Sequence, residues 1–268
     1  FLWLMNSIKE NPIGFFDSGV GGTSIWQEVV QLLPYENTIY LADSKNGPYG
    51  EKSPEKILEF SIKNTELLLN KNTKIIIVAC NTATTNAISI LRERYDIPFI
   101  GIEPAIKPAE LVTKTKKIGL LATKGTLDSE LFEKTFSTID RSIKVIEQVG
   151  EGLVHLIEDG KTNSKEMHQL LYKYLNPMMK ENIDALVLGC SHYPYLMPQI
   201  KKILGNSVQI IDSGSAVAKQ TKRVLNSHKI LQTSVKKKII HQFYSNKNIE
   251  TLTNLLNRTE VEIMEIDF

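Results

Sequence analysis

The sequence has little net charge, no long hydrophobic run and very few cysteines. Its 32 Lys and Arg residues against 30 Asp and Glu residues give a formal net charge of +2, so no strong field draws the chain to nucleic acid or to a membrane surface. No apolar stretch of about 20 residues is present to cross a bilayer, and the apolar start, Phe1 to Met5, is too short for a secretory signal core. We therefore expect a cytoplasmic protein that binds neither nucleic acid nor membrane, with the short run Lys236-Lys237-Lys238 on a solvated surface.

Only two cysteines, Cys80 and Cys190, occur in the 268 residues. A reducing compartment predicts two free thiols rather than a disulfide, and their separation is not the Cys-x-x-Cys of a redox protein. Two thiols are also too few for a structural zinc site unless histidines from elsewhere complete it. The glycines of Gly19-Val20-Gly21-Gly22 fit neither the dinucleotide nor the phosphate-loop pattern, which disfavours a nucleotide enzyme. We expect no cofactor and no metal.

What the sequence does have is strand-like apolar runs alternating with amphipathic helices. This alternation predicts an α/β fold with mainly parallel sheets, and the length suffices for about two domains. The apolar runs do not alternate with polar residues, as expected when helices cover both faces of a sheet. Thr23 to Leu33 has helical spacing, and the first predicted strands are residues 13–16, 39–42, 75–79 and 99–102.

An internal repeat organises the chain. The run Ile13 to Ser18 is echoed by Ile118 to Thr123, and the segment around Cys80 is echoed by the segment around Cys190. The repeat predicts two similar, pseudo-symmetric α/β domains that face each other across a cleft containing the active site. The predicted first domain is discontinuous, residues 12–103 plus 213–268, and the second domain is residues 104–212.

The two thiols occupy matching places in this repeat. Each ends an apolar strand-like run and precedes two polar residues, Asn81-Thr82 in one half and Ser191-His192 in the other. Ligands of open α/β sheets bind beyond the carboxyl ends of the strands. A helix N-terminus after Cys80 is expected to hold a carboxylate and to lower the thiol pKa from about 8.5. The alternative is that both are small core residues, the commonest fate of a free cysteine; their repetition in register favours a site.

Four motifs carry a resemblance to a known family. In order along the chain they are Asp17-Ser18-Gly19-Val20-Gly21-Gly22, Pro48-Tyr49-Gly50-Glu51-Lys52, Ala79-Cys80-Asn81-Thr82-Ala83 and Gly189-Cys190-Ser191-His192-Tyr193-Pro194. In order and spacing they resemble bacterial glutamate racemase over residues 13 to 218. The resemblance implies interconversion of L- and D-glutamate without pyridoxal phosphate or metal, to supply D-glutamate for peptidoglycan, by a homodimer. Family members usually carry threonine where this chain has Ser191, so the hydroxyl is retained, whereas aspartate racemases tend to carry an acid in place of His192.

Elementary chemistry gives these residues roles. A thiolate on one face of the α-carbon removes the proton and a thiol on the other face returns one, which is paired general acid–base catalysis. The resemblance implies that Asp17 assists the first cysteine, that His192 assists the second, and that Glu158 pairs with His192. The candidate catalytic residues are therefore Cys80, Cys190, Asp17, His192 and Glu158. Taken singly, Asp17 could cap a helix, His192 could be a core histidine and Glu158 a solvated helix residue.

Polar residues near these motifs are the candidate contacts of the substrate carboxylates and ammonium group. Each hydroxyl or amide could instead cap a helix, and Pro48-Tyr49-Gly50 also suits an ordinary turn, although Gly50 permits close backbone approach to a ligand. Histidines 155, 168, 228 and 241 have no partner by spacing and are expected on the surface or in packing. The candidate substrate-binding residues are Asp17, Ser18, Tyr49, Gly50, Asn81, Thr82, Thr123, Thr126, Ser191 and His192.

Two other functions remain open at this point. A two-domain amino-acid-binding protein would explain a cleft with polar loops, but it should carry a secretory signal and has no need of two matched thiols. A cofactor-independent racemase acting on aspartate or on a hydantoin would use the same chemistry on a different substrate. An assay of racemisation across the three substrate classes separates these possibilities.

Overall fold

The computed structural model describes residues 8–235, 238–247 and 249–268. The apolar start at Phe1 to Met5, and Lys236 and Lys237 of the basic run, lie outside the described residues, whereas Lys238 is exposed as predicted. None of the helices in the described ranges is both long and apolar enough to span a bilayer.

Strands and helices alternate along the described chain. The strands are β1 Ile13–Asp17, β2 Thr38–Ala42, β3 Ile75–Val78, β4 Phe99–Gly101, β5 Lys117–Ala122, β6 Lys144–Val149, β7 Ala185–Gly189, β8 Gln209–Ile211, β9 His241–Ser245 and β10 Val261–Glu265. The α-helices are α1 Thr23–Leu32, α2 Pro54–Asn70, α3 Asn81–Arg94, α4 Ile106–Val112, α5 Lys124–Leu127, α6 Glu130–Phe136, α7 Leu153–Glu158, α8 Lys165–Lys180, α9 Met197–Leu204, α10 Gly214–Ser227 and α11 Ile249–Leu256. Short 3₁₀ turns span Tyr49–Glu51 and Tyr193–Leu196.

The strands form two sheets, which confirms the predicted α/β class. One sheet has the order β10-β9-β2-β1-β3-β4 and the other the order β6-β5-β7-β8. All strand pairs described are parallel. We call the six-stranded sheet with its helices the first lobe and the four-stranded sheet with its helices the second lobe. The internal repeat is visible in the pairing, because β1 lies beside β3 in one lobe as β5 lies beside β7 in the other.

Burial explains why these residues form these elements. Strands β1, β2, β3 and β7 are buried at every residue, which is the pattern of a parallel sheet covered by helices on both faces. Helix α8 shows the complementary pattern, since its buried residues recur at helical spacing on one face. That face consists of Met167, Leu171, Tyr174, Leu175 and Met178.

The chain passes between the lobes twice, after β4 and after β8. The two connections lie side by side, because the Ser213 hydroxyl donates to the Glu103 carbonyl at 2.5 Å. After the second connection, α10 packs against α1 of the first lobe. These contacts support our proposal that residues 12–103 with 213–268 form one domain and residues 104–212 the other.

Candidate active site

Both thiols lie at the carboxyl ends of central strands and face one cavity between the lobes. Cys80 follows β3 by two residues and Cys190 follows β7 directly, and both are buried. The cavity is small, with a free volume of about 10 Å³. Its wall combines side chains from both lobes, namely Ser18, Pro48, Tyr49, Gly50, Cys80, Asn81, Thr82, Thr123, Val154, Cys190, Ser191 and His192. The structure therefore brings most of the predicted site residues to one place.

Asp17 lies at the end of β1 and links the two lobes. Its Oδ2 accepts hydrogen bonds from the backbone N–H groups of Gly19 at 3.2 Å and Gly22 at 3.1 Å. Its Oδ1 accepts from the Ser191 hydroxyl of the second lobe at 3.1 Å. Burial raises the pKa of Asp17 above its ordinary value, although the charge of His192 and the Gly22 N–H oppose this. Asp17 thus orders the turn before α1 and also reaches across the cleft.

Helix α3 begins directly after Cys80, as the sequence predicts, and Cys80 caps its N-terminus. Its Sγ accepts from the Ala83 N–H at 3.4 Å and lies 3.7 Å from the Ser18 hydroxyl. The prediction that this helix end lowers the thiol pKa is wrong for the resting protein, because burial raises the pKa of Cys80 strongly and the negative charge of Asp17 adds to the effect. The Ala83 N–H and the Ser18 hydroxyl act in the opposite direction but are weaker. The surroundings of Cys80 therefore favour the neutral thiol.

Cys190 is accompanied by an ionised pair. His192 Nδ1 lies 3.8 Å from the Cys190 sulfur, and His192 Nε2 lies 2.6 Å from Glu158 Oε1. Burial would lower the pKa of His192, but hydrogen bonds to Cys190 and Glu158 and the charge of Asp17 outweigh it and raise the pKa well above the usual range. Burial likewise would raise the pKa of Glu158, yet the hydrogen bond and charge of His192 lower it. The pair is therefore an imidazolium donating to a carboxylate, beside the second thiol.

The glycine-rich turn after Asp17 is required by this pair. A Cβ atom at Gly19 would lie 2.0 Å from Glu158 Oε1, and one at Gly21 would lie 2.2 Å from His192 Nδ1. The glycines therefore permit close approach of the two lobes around the histidine and the glutamate. This explains why their spacing matches no phosphate-binding pattern.

Hydroxyl groups line the opposite side of the cleft. Thr82 of the first lobe and Thr123 of the second join their hydroxyls at 2.8 Å, and Thr126 lies behind them, 3.3 Å from Thr82 and 3.0 Å from Thr123. Tyr49 lines the cavity, but its hydroxyl donates to the buried carboxylate of Asp43 at 2.5 Å. Thr126 and the Tyr49 hydroxyl thus support the wall rather than presenting a polar group to the cavity.

Asn81 is a buried polar side chain of the cavity wall that makes no hydrogen bond with the described residues. It is 2% exposed, and neither its amide nitrogen nor its amide oxygen has a hydrogen-bond partner among the described residues. An unpaired buried amide costs about 1–3 kcal/mol, so this side chain is poised to bind a polar ligand group.

Replacing Asn81 is expected to weaken substrate binding. For Asn81→Ala we expect the KM for glutamate, the substrate that the family resemblance implies, to rise about tenfold, the scale of one hydrogen bond to a charged group, with a smaller change in kcat. Initial-rate kinetics measure this. Asn81→Asp tells which group is bound: a further rise in KM indicates a substrate carboxylate, and a fall indicates the ammonium group. An unchanged KM in both variants would contradict a binding role.

Two contacts at the cleft were missed by the sequence analysis. Ser44, directly after Asp43 at the end of β2, donates to Glu158 Oε2 at 2.9 Å. His155, predicted to lack a partner, contacts Glu51 Oε1 of the other lobe at 2.8 Å, with about half of each side chain exposed. The only signal for Ser44 is its place after a buried strand. Within the described ranges, no group of three or more His, Cys, Asp or Glu side chains is arranged to hold a metal ion.

Known proteins match both the sequence and the structure. A family model described as Asp/Glu/Hydantoin racemase matches residues 14–221. The chain is 45% identical over 226 residues to the glutamate racemase of Ectopseudomonas mendocina, covering 84% of this chain and 86% of that protein. The structure of glutamate racemase isoform RacE1 from Bacillus anthracis superposes with a TM-score of 0.87 at 33% identity, covering 97% of this chain and 98% of that one.

A further solved structure carries ligands. It is the glutamate racemase of Escherichia coli in complex with L-glutamate and the activator UDP-MurNAc-ala, with a TM-score of 0.84 and 30% identity over 96% of this chain and 98% of that one. The stretch matched by the family model includes both thiols and the whole cavity wall. The chain therefore belongs to the Asp/Glu/hydantoin racemase family, as an amino-acid racemase of its glutamate racemase branch.

Proposed function

We propose that the protein interconverts L- and D-glutamate by a two-base proton transfer between Cys80 and Cys190. The observation that carries this proposal is that the two thiols line one small cavity from opposite lobes. An amino acid held between them presents one face of its α-carbon to each sulfur. One sulfur removes the α-proton as a thiolate, the other delivers a proton as a thiol, and each turnover exchanges their protonation states.

The surroundings of each thiol fit this exchange. Beside Cys190, the imidazolium of His192 places a hydrogen-bond donor and a positive charge 3.8 Å from the sulfur. Beside Cys80, the resting site holds the thiol neutral, because the sulfur is buried next to the negative charge of Asp17. The α-ammonium group of a bound amino acid brings a positive charge into the cavity, and an opposite charge nearby favours ionisation of the thiol. The site thus has an imidazolium beside Cys190 and a neutral thiol at Cys80.

Polar groups of the cavity wall recognise the substrate. The N-terminus of α3 directs backbone N–H groups at the cavity, which suits a carboxylate. Asn81 and the hydroxyls of Ser18, Thr82, Thr123 and Ser191 add side-chain groups for the second carboxylate and the ammonium group. Glutamate carries the two carboxylates and one ammonium group that such a wall matches.

We assign the wider setting by likeness to the relatives. The protein works without pyridoxal phosphate or metal, as a homodimer in the cytoplasm, and supplies D-glutamate for peptidoglycan. The likeness to glutamate racemases supports the activity, and the Escherichia coli relative was solved with L-glutamate and the activator UDP-MurNAc-ala.

The test is racemisation by purified, exhaustively dialysed protein in the presence of a chelator. We expect L-glutamate to lose its circular-dichroism signal, while L-aspartate and a hydantoin are turned over far more slowly. Thiol alkylation should abolish the activity, and glutamate should protect against it. Activity that vanishes on dialysis and returns with pyridoxal phosphate or a metal ion would contradict the cofactor-free mechanism. A preference for aspartate or for the hydantoin would move the chain to another branch of its family.

A further inference from the structure

Helix α7 belongs to the second lobe but is held by the first. At its C-terminal end, the carboxylate of Glu158 accepts hydrogen bonds from the Val20 N–H at 2.7 Å and from the Ser44 hydroxyl at 2.9 Å. The backbone carbonyl of the same residue accepts from the Thr251 hydroxyl at 2.9 Å. All three donors lie in the first lobe. The acid that supports His192 is therefore fixed by the lobe opposite to the one that carries it.

Ser44 is itself rigidly placed. The preceding residue, Asp43, is 2% exposed and its carboxylate accepts from the Tyr49 hydroxyl at 2.5 Å and from the Asn246 amide at 2.6 Å. Ser44 is 7% exposed, and its hydroxyl donates to Glu158 Oε2, whereas Glu158 Oε1 contacts His192 Nε2 and accepts from the Val20 N–H. The serine thus helps to hold the carboxylate in the orientation in which Oε1 is aimed at the histidine.

We propose that Ser44 is a positioning residue for proton transfer at Cys190. Its hydroxyl acts through Glu158 on His192, so the machinery around Cys190 is complete only when the first lobe is in contact with α7. Among the described residues, Cys80 is hydrogen-bonded to Ser18 and Ala83 and not through Glu158 to Ser44, so its proton transfer is far less affected. This inference rests on the proposed two-thiol mechanism and adds to it a residue from the opposite lobe.

Isotope exchange in single-thiol variants tests the proposal. With one thiol removed, the other exchanges the α-hydrogen of one enantiomer with deuterated solvent without racemising it. We expect Ser44→Ala to slow this exchange about 10- to 100-fold in the Cys80→Ser protein, the scale of losing one hydrogen bond to a charged group. In the Cys190→Ser protein, Ser44→Ala should slow the exchange by less than about threefold. Ser44→Thr retains the hydroxyl and should restore exchange.

Thr251→Val is the matched control, since it removes a hydroxyl of the first lobe that binds the same residue at its backbone rather than its carboxylate. It should leave exchange in the Cys80→Ser protein close to that of the parent. Equal slowing by Ser44→Ala in both single-thiol proteins, or equal effects of Ser44→Ala and Thr251→Val, would reduce Ser44 to a general contact between lobes. If neither single-thiol protein exchanges either enantiomer, the two-thiol mechanism fails instead.

A second measurement decides the role of Ser44 even in that case. The short contact between His192 Nε2 and Glu158 Oε1 should give a far-downfield proton signal in NMR spectra of histidine-labelled protein. The other charged or titratable groups that face this imidazole are Asp17 and Cys190. We expect the signal to move upfield or broaden in Ser44→Ala, and to persist in Ser44→Thr and Thr251→Val. A signal unchanged in Ser44→Ala would overturn the proposal.

Discussion

Cys80→Ser and Cys190→Ser are each expected to abolish racemisation while leaving the fold intact. A serine hydroxyl is far less acidic than a thiol, so it supplies no equivalent base at neutral pH. The change in volume is small, and both side chains are buried in a wall built from rigid strand ends. Circular-dichroism assays of turnover with each enantiomer, together with thermal unfolding, measure the two parts of this expectation.

The same variants distinguish two opposed thiols from a single base. With L- and D-glutamate in deuterated water, the two single-thiol proteins should show opposite preferences for the enantiomer whose α-signal disappears from the NMR spectrum. Rapid exchange of both enantiomers by one variant would mean that one sulfur reaches both faces of the carbon. Near-wild-type turnover in either variant would make that cysteine a structural residue.

The sequence predicts well which strands carry the residues of this site, because buried strands and strand ends are identified by local patterns. Unbroken apolar runs identify buried parallel strands, and the repetition of a thiol after β3 and β7 locates two equivalent strand ends. Since the carboxyl ends of parallel strands face the ligand cleft, the two thiols and their polar neighbours were placed together without knowledge of the packing.

The electrostatics could not be predicted in the same way. The sequence indicates the helix end that would lower the pKa of Cys80, but the larger effects arise only in the folded chain, from burial of the sulfur and from the charge of Asp17 at the end of the neighbouring strand β1. Ser44 and His155 were missed for a related reason. Their partners, Glu158 and Glu51, are distant in sequence, and contacts between lobes leave no periodic signal in either segment.

The turn after Asp17 shows how a motif gains its meaning from packing. In the sequence, Gly19 and Gly21 are identified only by likeness to the family. In the structure, each glycine is needed because a side chain of the second lobe occupies the place of its Cβ atom. The two glycines are therefore needed because the two lobes lie close together at this turn.

Asp17→Asn and His192→Asn are expected to slow turnover by roughly 10²–10⁴, the scale of losing acid–base assistance. Asparagine in place of Asp17 can keep the local geometry. Its oxygen can accept from the Gly19 and Gly22 N–H groups, and its amide can donate to the Ser191 hydroxyl, which then acts as acceptor. A loss of rate in this variant therefore reports the carboxylate charge rather than the fold. Asparagine in place of His192 removes the ionisable ring beside Cys190.

The exposed residues His168 and Asp96 provide matched controls, and their changes to asparagine should leave turnover within about twofold, as for most surface substitutions.

The two enantiomers have equal free energy in solution, so kcat/KM must remain equal in the two directions for every variant. Directional effects can appear only in kcat and KM taken separately, and steady-state kinetics from both enantiomers resolve them. If Asp17 acts on one thiol and His192 on the other, the two variants should distort these separate constants in opposite directions. Identical distortions, or turnover close to that of the controls, would show that neither residue assists a particular thiol.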